Sequence, residues 1–366
     1  MDIIKFFNSD EVELPRRRGE KDFEEFITEL FENYVNAIDQ QIGNDDITKG
    51  IQKSRQSIID ICESVKRAIS EYLEGFPSKA FSSLKDAIEN ETVKKCFETL
   101  YSGDLSKSAR NFYRMRTVDN QKKGFSKEEM FHIPFESRHL VRTQRYSIPG
   151  LPCLYLGASV YVCWEELGQP DCSKIQVSRL EMEPNRNIKI LDFGYRHAHM
   201  AAMINGEGRN IESWQENLAF AYAVCWPIIA ACSIVVKEKK SPFKVEYIVP
   251  QLIMQWLKTN KEGYHGIRYF SMNIDKYLGS PRLFQNFAFP VVEKSETGFC
   301  NFLKGSFKIT EAVSLQNTKA DDVLLNYDNM PEGKIQLNDK SKKEYRDTDL
   351  GKIEAVLNGK DTFTMR

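Results

Sequence analysis

Two adjacent carboxylates, Glu165 and Glu166, are placed where a ligand site can form. They follow the apolar run 153–156, which predicts a short buried strand, and Ser159 is suited to cap a helix that carries both glutamates. A carboxylate pair beside the end of a buried strand is typical of ligand sites. Adjacent glutamates on a helix are more often a solvated face, so the pair alone does not establish a function.

The sequence around this pair resembles the RES domain, a family named for an arginine, a glutamate and a serine. Residues 145–167 carry its signature: Arg, an aromatic residue, Pro-Gly, Leu-Tyr-Leu and a following glutamate. Two more motifs stand in the family's order, Phe-Tyr-Arg-Met-Arg at 112–116 and Gly-Ile-Arg-Tyr-Phe-Ser at 266–271. The match covers residues 111–290. It implies a fold like that of ADP-ribosyltransferases and an enzyme that consumes NAD+.

The resemblance implies three catalytic residues, Arg114, Glu166 and Ser271. A guanidinium can hold the diphosphate of a dinucleotide in bidentate fashion. A carboxylate beside the ribose can stabilise the positive charge that develops as the nicotinamide–ribose bond breaks. Glu166 lies at the family-like distance from the Leu-Tyr-Leu strand, and Glu165 is the alternative. Ser271 has no Ser-His-Asp arrangement around it, so it is predicted to contact the substrate and not to act as a nucleophile.

Three further residues are predicted to bind the substrate: Tyr113, Arg145 and Tyr155. Arg145 precedes the turn and is expected to hold a second phosphate or to order the loop. The two tyrosines are suited to stacking on nicotinamide or bonding a ribose hydroxyl, and core packing is an equal alternative for Tyr155. No metal site is predicted, because His197 and His199 with Glu207 nearby lack a third well-spaced ligand.

Composition excludes several classes of partner. The net charge of -1 gives no basic surface for nucleic acid, and eight cysteines without CxxC spacing suit a reducing cytoplasm. The uncharged segment 218–236 is nearly long enough to span a bilayer. Its Pro227 and β-branched end predict instead a buried helix that breaks near Trp226, followed by a core strand. No membrane partner is therefore expected.

The predicted architecture is α+β, with an N-terminal helical bundle before a mixed RES domain. Residues 1–103 show three amphipathic helical patterns and resemble the HEPN-like domains that often precede RES domains. All five histidines lie at or beyond His132, so the Arg/His nuclease motif of some HEPN domains is missing there. The RES domain is assigned to 104–316, and 317–366 is predicted to be a polar tail with a strand or two.

The function that the resemblance implies is cleavage of NAD+ at the nicotinamide–ribose bond. NAD+ is then a substrate, not a cofactor, and inorganic phosphate is the expected co-substrate, with water as the variant. An enzyme that depletes NAD+ harms its cell, so a toxin restrained by an antitoxin or regulatory protein is expected. The bundle is expected to pack on the RES domain or on another subunit of a homo-oligomer. The alternatives are an ADP-ribosyltransferase that modifies a protein and a non-catalytic interaction protein with a degenerate RES fold.

Overall fold

The computed structural model describes residues 2–41, 43–102, 110–118, 124–184, 186–205, 212–259, 263–273, 279–319, 324–337 and 339–365. The helices of these ranges are α1 (Ile3–Phe7), α2 (Phe23–Asp39), α3 (Asp46–Lys53), α4 (Arg55–Leu73), α5 (Pro77–Glu89), α6 (Glu91–Thr99), α7 (Val160–Glu166), α8 (His197–Ile204), α9 (Ser213–Ala231), α10 (Ile248–Thr259), α11 (Asn301–Ser306) and α12 (Asp349–Asn358). The strands are β1 (Tyr101–Ser102), β2 (Asn111–Thr117), β3 (Cys153–Gly157), β4 (Ile175–Met182), β5 (Lys189–Phe193), β6 (Tyr264–Phe270), β7 (Gln285–Pro290), β8 (Phe307–Ile309), β9 (Lys334–Gln336), β10 (Lys342–Glu344) and β11 (Phe363–Thr364). The predicted α+β class is confirmed.

The chain divides into two compact units, each made of three segments. The helical unit comprises Met1–Tyr101, Thr143–Ile148 and Leu191–Gly263. The sheet unit comprises Ser102–Arg142, Pro149–Ile190 and Tyr264–Arg366. The predicted boundaries were linear, whereas this division groups 191–263 with the N-terminal helices and the residues after 316 with the sheet. Residue 103, the first predicted boundary, lies outside the described residues.

Five helices, α2 to α6, occupy the region where three helical patterns were predicted. The second pattern is divided at Ser54, which ends α3 and precedes α4. The third is divided at Asn90, whose side chain accepts a hydrogen bond from the Thr92 N–H and so begins α6. Asparagine is a favoured N-cap, because its side-chain oxygen satisfies a backbone donor of the first turn. The apolar stripes were therefore interpreted correctly, but these two interruptions were not.

Helix α9 explains why a later segment belongs to the helical unit. It was predicted to break near Trp226, yet it continues through Pro227 to Ala231. A proline removes the N–H that would bond the carbonyl four residues earlier, here that of Ala223. The hydroxyl of Tyr34 from α2 donates to this carbonyl at 2.6 Å, and the Tyr34 and Trp226 rings stack with centroids 4.0 Å apart. Instead of the predicted core strand, an isolated bridge pairs Ile234 with Arg16.

Tyr34→Phe is expected to destabilise the protein by roughly 1–2 kcal/mol, because the buried Ala223 carbonyl loses its hydroxyl donor. Urea unfolding of the full chain measures the change. Tyr72→Phe is the matched control, since Tyr72 is half-buried in the same unit and has no hydroxyl bond among the described residues. Equal stability losses in the two variants would contradict this account of α9.

None of the helices in the described ranges combines the length and the apolar character needed to cross a bilayer.

In the sheet unit, seven strands follow one another in the order β6-β7-β3-β2-β4-β8-β11. Alternate residues of a strand point to opposite faces, and each face of this sheet covers an apolar core. Tyr113 and Met115 lie in one core, together with α7 and α12. Phe112, Leu154 and Phe287 lie in the other. The sheet is therefore buried on both faces around its central strand β2.

The segment after residue 316 differs from the predicted polar tail. It forms the antiparallel pair β9–β10, the buried helix α12 and the strand β11 beside β8. Leu350, Ile353 and Leu357 of α12 are each at most 1% exposed. Their spacing of three and four residues marks a helical stripe that the polar composition of the segment conceals. The last helix is thus part of the core behind α7.

Candidate functional site

A wedge opens between β2 and β3 in the middle of the sheet. Strand β2 pairs with β4 along seven residues, but with β3 only through Tyr113 and Gly157. Strand β3 is itself paired along its full length with β7. Residues 114–117 and 153–156 therefore face each other without a ladder. A carbonyl beside such a gap needs another partner, and the Tyr155 carbonyl finds it in the Arg114 side chain.

Arg114 is the first residue of β2 beyond the closed end of this wedge. Its Nη1 donates across the gap to the Tyr155 carbonyl at 3.2 Å, and its buried Nε has no hydrogen-bond partner among the described residues. Burial, and then the charge of Arg116, lower the pKa of Arg114 to about 10. The guanidinium is still a cation at neutral pH. Within the described residues no carboxylate forms an ion pair with it, so the wedge holds a positive charge suited to an anion.

Gly157 fixes where α7 begins relative to the sheet. A Cβ atom at this position would lie 2.6 Å from both Cys163 Sγ and Val162 Cγ1. Such a separation is shorter than van der Waals contact, so only glycine permits helix α7 to fold back this closely. The helix begins after Ser159, whose Oγ accepts from the Val162 N–H at 3.2 Å as the sequence predicted. The tight turn carries the glutamates back over the sheet.

Glu166, the last residue of α7, receives three side-chain hydrogen bonds. Ser271 Oγ donates to its Oε1 at 2.6 Å, and Asn286 Nδ2 donates to the same oxygen at 2.8 Å. Asn273 Nδ2 donates to Oε2 at 3.2 Å. A carboxylate is disfavoured at a helix C-terminus by the helix dipole, and these donors offset that effect. The structure thus brings together the predicted glutamate and serine.

Glu165 lies in a different environment. It is 6% exposed, and Gln169 Nε2 donates to its two carboxylate oxygens at 3.1 and 3.0 Å. Tyr161 also hydrogen-bonds to it, and burial followed by this carboxylate raises the pKa of the Tyr161 hydroxyl. Glu165 therefore belongs to the local packing of α7, whereas Glu166 is solvent-exposed. Leu167, which follows the end of α7, is 43% exposed.

The start of α7 is held by a buried carboxylate from α12. Glu354 is fully buried, and its Oε2 accepts from the Val160 N–H at 2.8 Å and from the Tyr345 hydroxyl at 2.5 Å. A carboxylate that accepts a free N–H at a helix start is favoured by the local dipole. The C-terminal helix therefore fixes the helix that presents Glu166. No pattern in the sequence predicted this contact.

The two candidate tyrosines lie on neighbouring strands in different surroundings. Tyr113 is 1% exposed in the core beside α12, and its hydroxyl donates to Asn358 Oδ1 at 2.7 Å. Its ring has no open face for a ligand, which differs from the predicted substrate contact. Tyr155 is half-buried on β3, and its carbonyl accepts the bond from Arg114. Tyr155 thus borders the wedge, and Tyr113 closes its end.

Arg145 belongs to the helical unit and is 8% exposed. Its Nη1 and Nη2 donate to the carbonyls of Cys232 and Ile234 at 3.0 and 2.9 Å. Its guanidinium also lies over the Tyr247 ring. This geometry favours the second of its two predicted roles, the ordering of the 143–148 segment, over phosphate binding.

The two asparagines that bind Glu166 were not among the predicted site residues. A signal for Asn286 was present, because Gln285 and Asn286 interrupt an otherwise apolar strand, and both are at most 5% exposed. A buried polar residue in a central strand needs a partner, which makes it informative. Asn273 follows Ser271 in a turn and had no comparable signal.

His197 and His199, for which no metal site was predicted, lie on α8. His199 Nδ1 accepts from the Arg196 N–H at 3.0 Å, and His197 Nδ1 accepts from the Leu14 N–H at 3.2 Å. Burial lowers the pKa of both imidazoles, that of His197 to about 4. Glu207 lies outside the described residues. The two histidines therefore act as caps and packing groups.

Comparison with known proteins gives one informative relative. No protein-family model matches the chain, and no solved structure matches it. A protein of Bacillus subtilis (strain 168) described as "Putative toxin YopC" is 34% identical to the chain over 369 residues. The alignment spans 98% of this chain and 80% of that protein. With this identity over nearly its whole length, the chain belongs to the family of the Bacillus subtilis protein YopC.

Proposed function

We propose that this protein is a toxin that consumes NAD+ by breaking the bond between nicotinamide and ribose. The toxin role is supported by the name of its relative YopC. The chemistry is supported by one observation above all: Glu166 is exposed, yet its carboxylate is held by Ser271, Asn286 and Asn273. The three donors fix this exposed carboxylate in one position, where it can act on a bound molecule.

The position of Arg114 supports a dinucleotide as the substrate. In the sheet, Asn286 pairs with Gly157, which pairs with Tyr113, and Arg114 is the next residue. Two strand spacings separate Tyr113 from Asn286, so their backbones are roughly 10 Å apart. Because alternate strand residues point to opposite faces, the Arg114 side chain leaves β2 on the face opposite Tyr113. The proposed dinucleotide therefore passes through the wedge, with its diphosphate at the Arg114 cation and its ribose at the Glu166 carboxylate.

In the proposed reaction the C1′–N1 bond of NAD+ breaks, and its electron pair leaves with nicotinamide, which becomes neutral. Positive charge develops on the ribose, and the Glu166 carboxylate stabilises it. A phosphate oxygen then forms the new bond to C1′ and gives ADP-ribose phosphate. Water in the same position gives ADP-ribose and a proton. The Ser271 hydroxyl has its single proton engaged with Glu166, which suits a positioning role better than a nucleophilic one.

The test is incubation of the full chain with NAD+, with and without inorganic phosphate, followed by identification of the products by mass spectrometry. Free nicotinamide with phosphorylated ADP-ribose supports phosphorolysis, and ADP-ribose alone supports hydrolysis. ADP-ribose retained on a protein would support an ADP-ribosyltransferase instead. NAD+ left unchanged both with and without phosphate would contradict the proposal and support a non-catalytic RES fold.

A protein that depletes NAD+ must be restrained in the cell that makes it. An antitoxin or another regulatory protein is therefore part of the proposal, as is the formation of homo-oligomers through the helical unit. Co-purification with a tagged chain and its mass in solution test these two points.

Arg114→Ala is expected to weaken NAD+ binding by on the order of 2 kcal/mol, or about 30-fold in Kd, because a charge-assisted contact to the diphosphate is lost. Calorimetric titration in a Glu166→Gln background measures binding without turnover. Arg116→Ala is the matched control, since Arg116 is exposed and its Nη1 donates to the Glu129 carbonyl. If the Arg116 variant lost the affinity and the Arg114 variant kept it, the phosphate contact would belong to Arg116.

A further inference from the structure

The two carboxylate oxygens of Glu166 differ in their surroundings. Oε1 accepts two bonds, from Ser271 Oγ at 2.6 Å and from Asn286 Nδ2 at 2.8 Å. Oε2 accepts one longer bond, from Asn273 Nδ2 at 3.2 Å. Short bonds from two donors hold Oε1 in place, whereas Oε2 has a single, weaker partner among the described residues. The two oxygens are therefore suited to different tasks.

The donors to Oε1 are themselves fixed. Ser271 and Asn286 are 0% and 4% exposed. Asn286 lies in β7, where its backbone pairs with Gly157 on one side and with Tyr269 on the other. The Ser271 N–H donates to the Phe284 carbonyl at 2.7 Å. A side chain on a paired central strand cannot follow a moving partner, so Asn286 defines the position of the carboxylate.

Asn273, the donor to Oε2, is less buried and less firmly held than Ser271 and Asn286. It follows the end of β6 and is half-buried, and its own N–H donates to Ser271 Oγ at 3.2 Å. A ribose hydroxyl that donates to Oε2 can take the place of its side-chain amide at little cost, since one hydrogen bond replaces another.

We propose that Asn286 is a positioning residue that, with Ser271, holds Oε1 of Glu166 so that Oε2 faces the substrate ribose. This inference rests on the proposed NAD+ cleavage at the same site. Asn286 acts on the reaction only through the Glu166 carboxylate and does not touch NAD+. Its removal changes the placement of the charge that the developing cation needs and leaves the ground-state contacts of NAD+ unchanged.

The experiment is a double-mutant cycle of Asn286→Ala with Glu166→Gln, in which nicotinamide release gives kcat and KM. Asn286→Ala alone is expected to lower kcat about 10-fold with KM unchanged within about twofold. In the Glu166→Gln background the same change is expected to lower kcat less than twofold, because the charge it positions is gone. Gln285→Ala is the matched control, since this side chain has similar burial on the same strand and does not bond Glu166.

A loss of kcat in the Glu166→Gln background as large as in the wild type would overturn the inference, as would a change confined to KM. If Asn286→Ala fails to fold, Asn286→Thr gives the same comparison, because its hydroxyl is one bond too short to reach Oε1. A wild type that releases no nicotinamide contradicts the proposed function itself. An active wild type with an equally active Asn286→Ala variant contradicts only the positioning role.

Discussion

Glu166→Gln is expected to lower the rate of nicotinamide release at least ~10²-fold while NAD+ binds with nearly unchanged affinity. The glutamine is isosteric with glutamate, and its carbonyl can still accept from Ser271 and Asn286. What it lacks is the negative charge, which is needed only as the ribose becomes positive. Single-turnover rates and calorimetric titration with NAD+ separate the two effects.

Glu165→Gln is the control for this variant, because Glu165 is the adjacent residue on the same helix, is buried, and bonds its neighbours Gln169 and Tyr161. It is expected to change the rate by less than about threefold. The opposite pattern would move the catalytic assignment to Glu165. If neither variant changed the rate, the carboxylate mechanism would not apply to this chain.

The contact between Glu166 and Ser271 was accessible from the sequence, but its geometry was not. The motifs that resemble the RES family include both residues, and the Ser159 cap places Glu166 at the end of a short helix. The two residues are 105 positions apart, and Asn286 lies 120 positions from Glu166. Contacts over such separations depend on which strands are neighbours. Alternation of apolar residues predicts strands, but it does not give their order in a sheet.

The grouping of 191–263 with the N-terminal helices was missed for a related reason. The apolar run around Trp226 predicts burial, but not the helix on which it packs. Its partner Tyr34 stands in an ordinary helical stripe, with no sign that its hydroxyl replaces the N–H missing at Pro227. Local sequence patterns thus predict the helices and strands of this chain better than they predict which of these elements pack together.

For helix α12 the prediction was wrong in the opposite way, because the polar composition of the segment concealed a helix. The segment after 316 is rich in Lys, Asp and Asn, and it was judged a polar tail. Its buried stripe of Leu350, Ile353 and Leu357 is short, and it is interrupted by the acidic Glu354, which is fully buried. An acidic residue within an apolar stripe makes the sequence pattern less typical of a core helix. Here the carboxylate is inside because it bonds α7.

Glu354 is expected to make the stability of the protein depend on pH. Its complete burial raises the pKa of the carboxyl to about 7, from an ordinary value of 4.5, although the Tyr345 hydroxyl, the Val160 N–H and the charge of Arg282 act in the opposite direction. The other oxygen, Oε1, has no hydrogen-bond partner among the described residues. The folded protein therefore retains this proton at pH values where the unfolded chain has lost it.

The direction in which stability changes with pH follows from this difference in pKa between the folded and unfolded states. Below pH 4.5 both states carry the proton, and the carboxyl has no desolvation penalty for charge. Between pH 4.5 and 7 the unfolded chain releases the proton first, so stability falls as pH rises. Above pH 7 the loss is complete and is on the order of 3 kcal/mol, since each pKa unit corresponds to about 1.4 kcal/mol.

Glu354→Gln cannot titrate, so it is expected to gain on the order of 3 kcal/mol relative to the wild type between pH 4.5 and pH 8. Urea unfolding of both full chains across this range measures the difference. Glu128→Gln is the control, because Glu128 is exposed in the same unit, and its difference from the wild type is expected to stay flat. A flat difference for Glu354→Gln as well would mean that the carboxyl already ionises at its ordinary pKa. In that case α12 would hold the start of α7 by a charged carboxylate at every pH above 5.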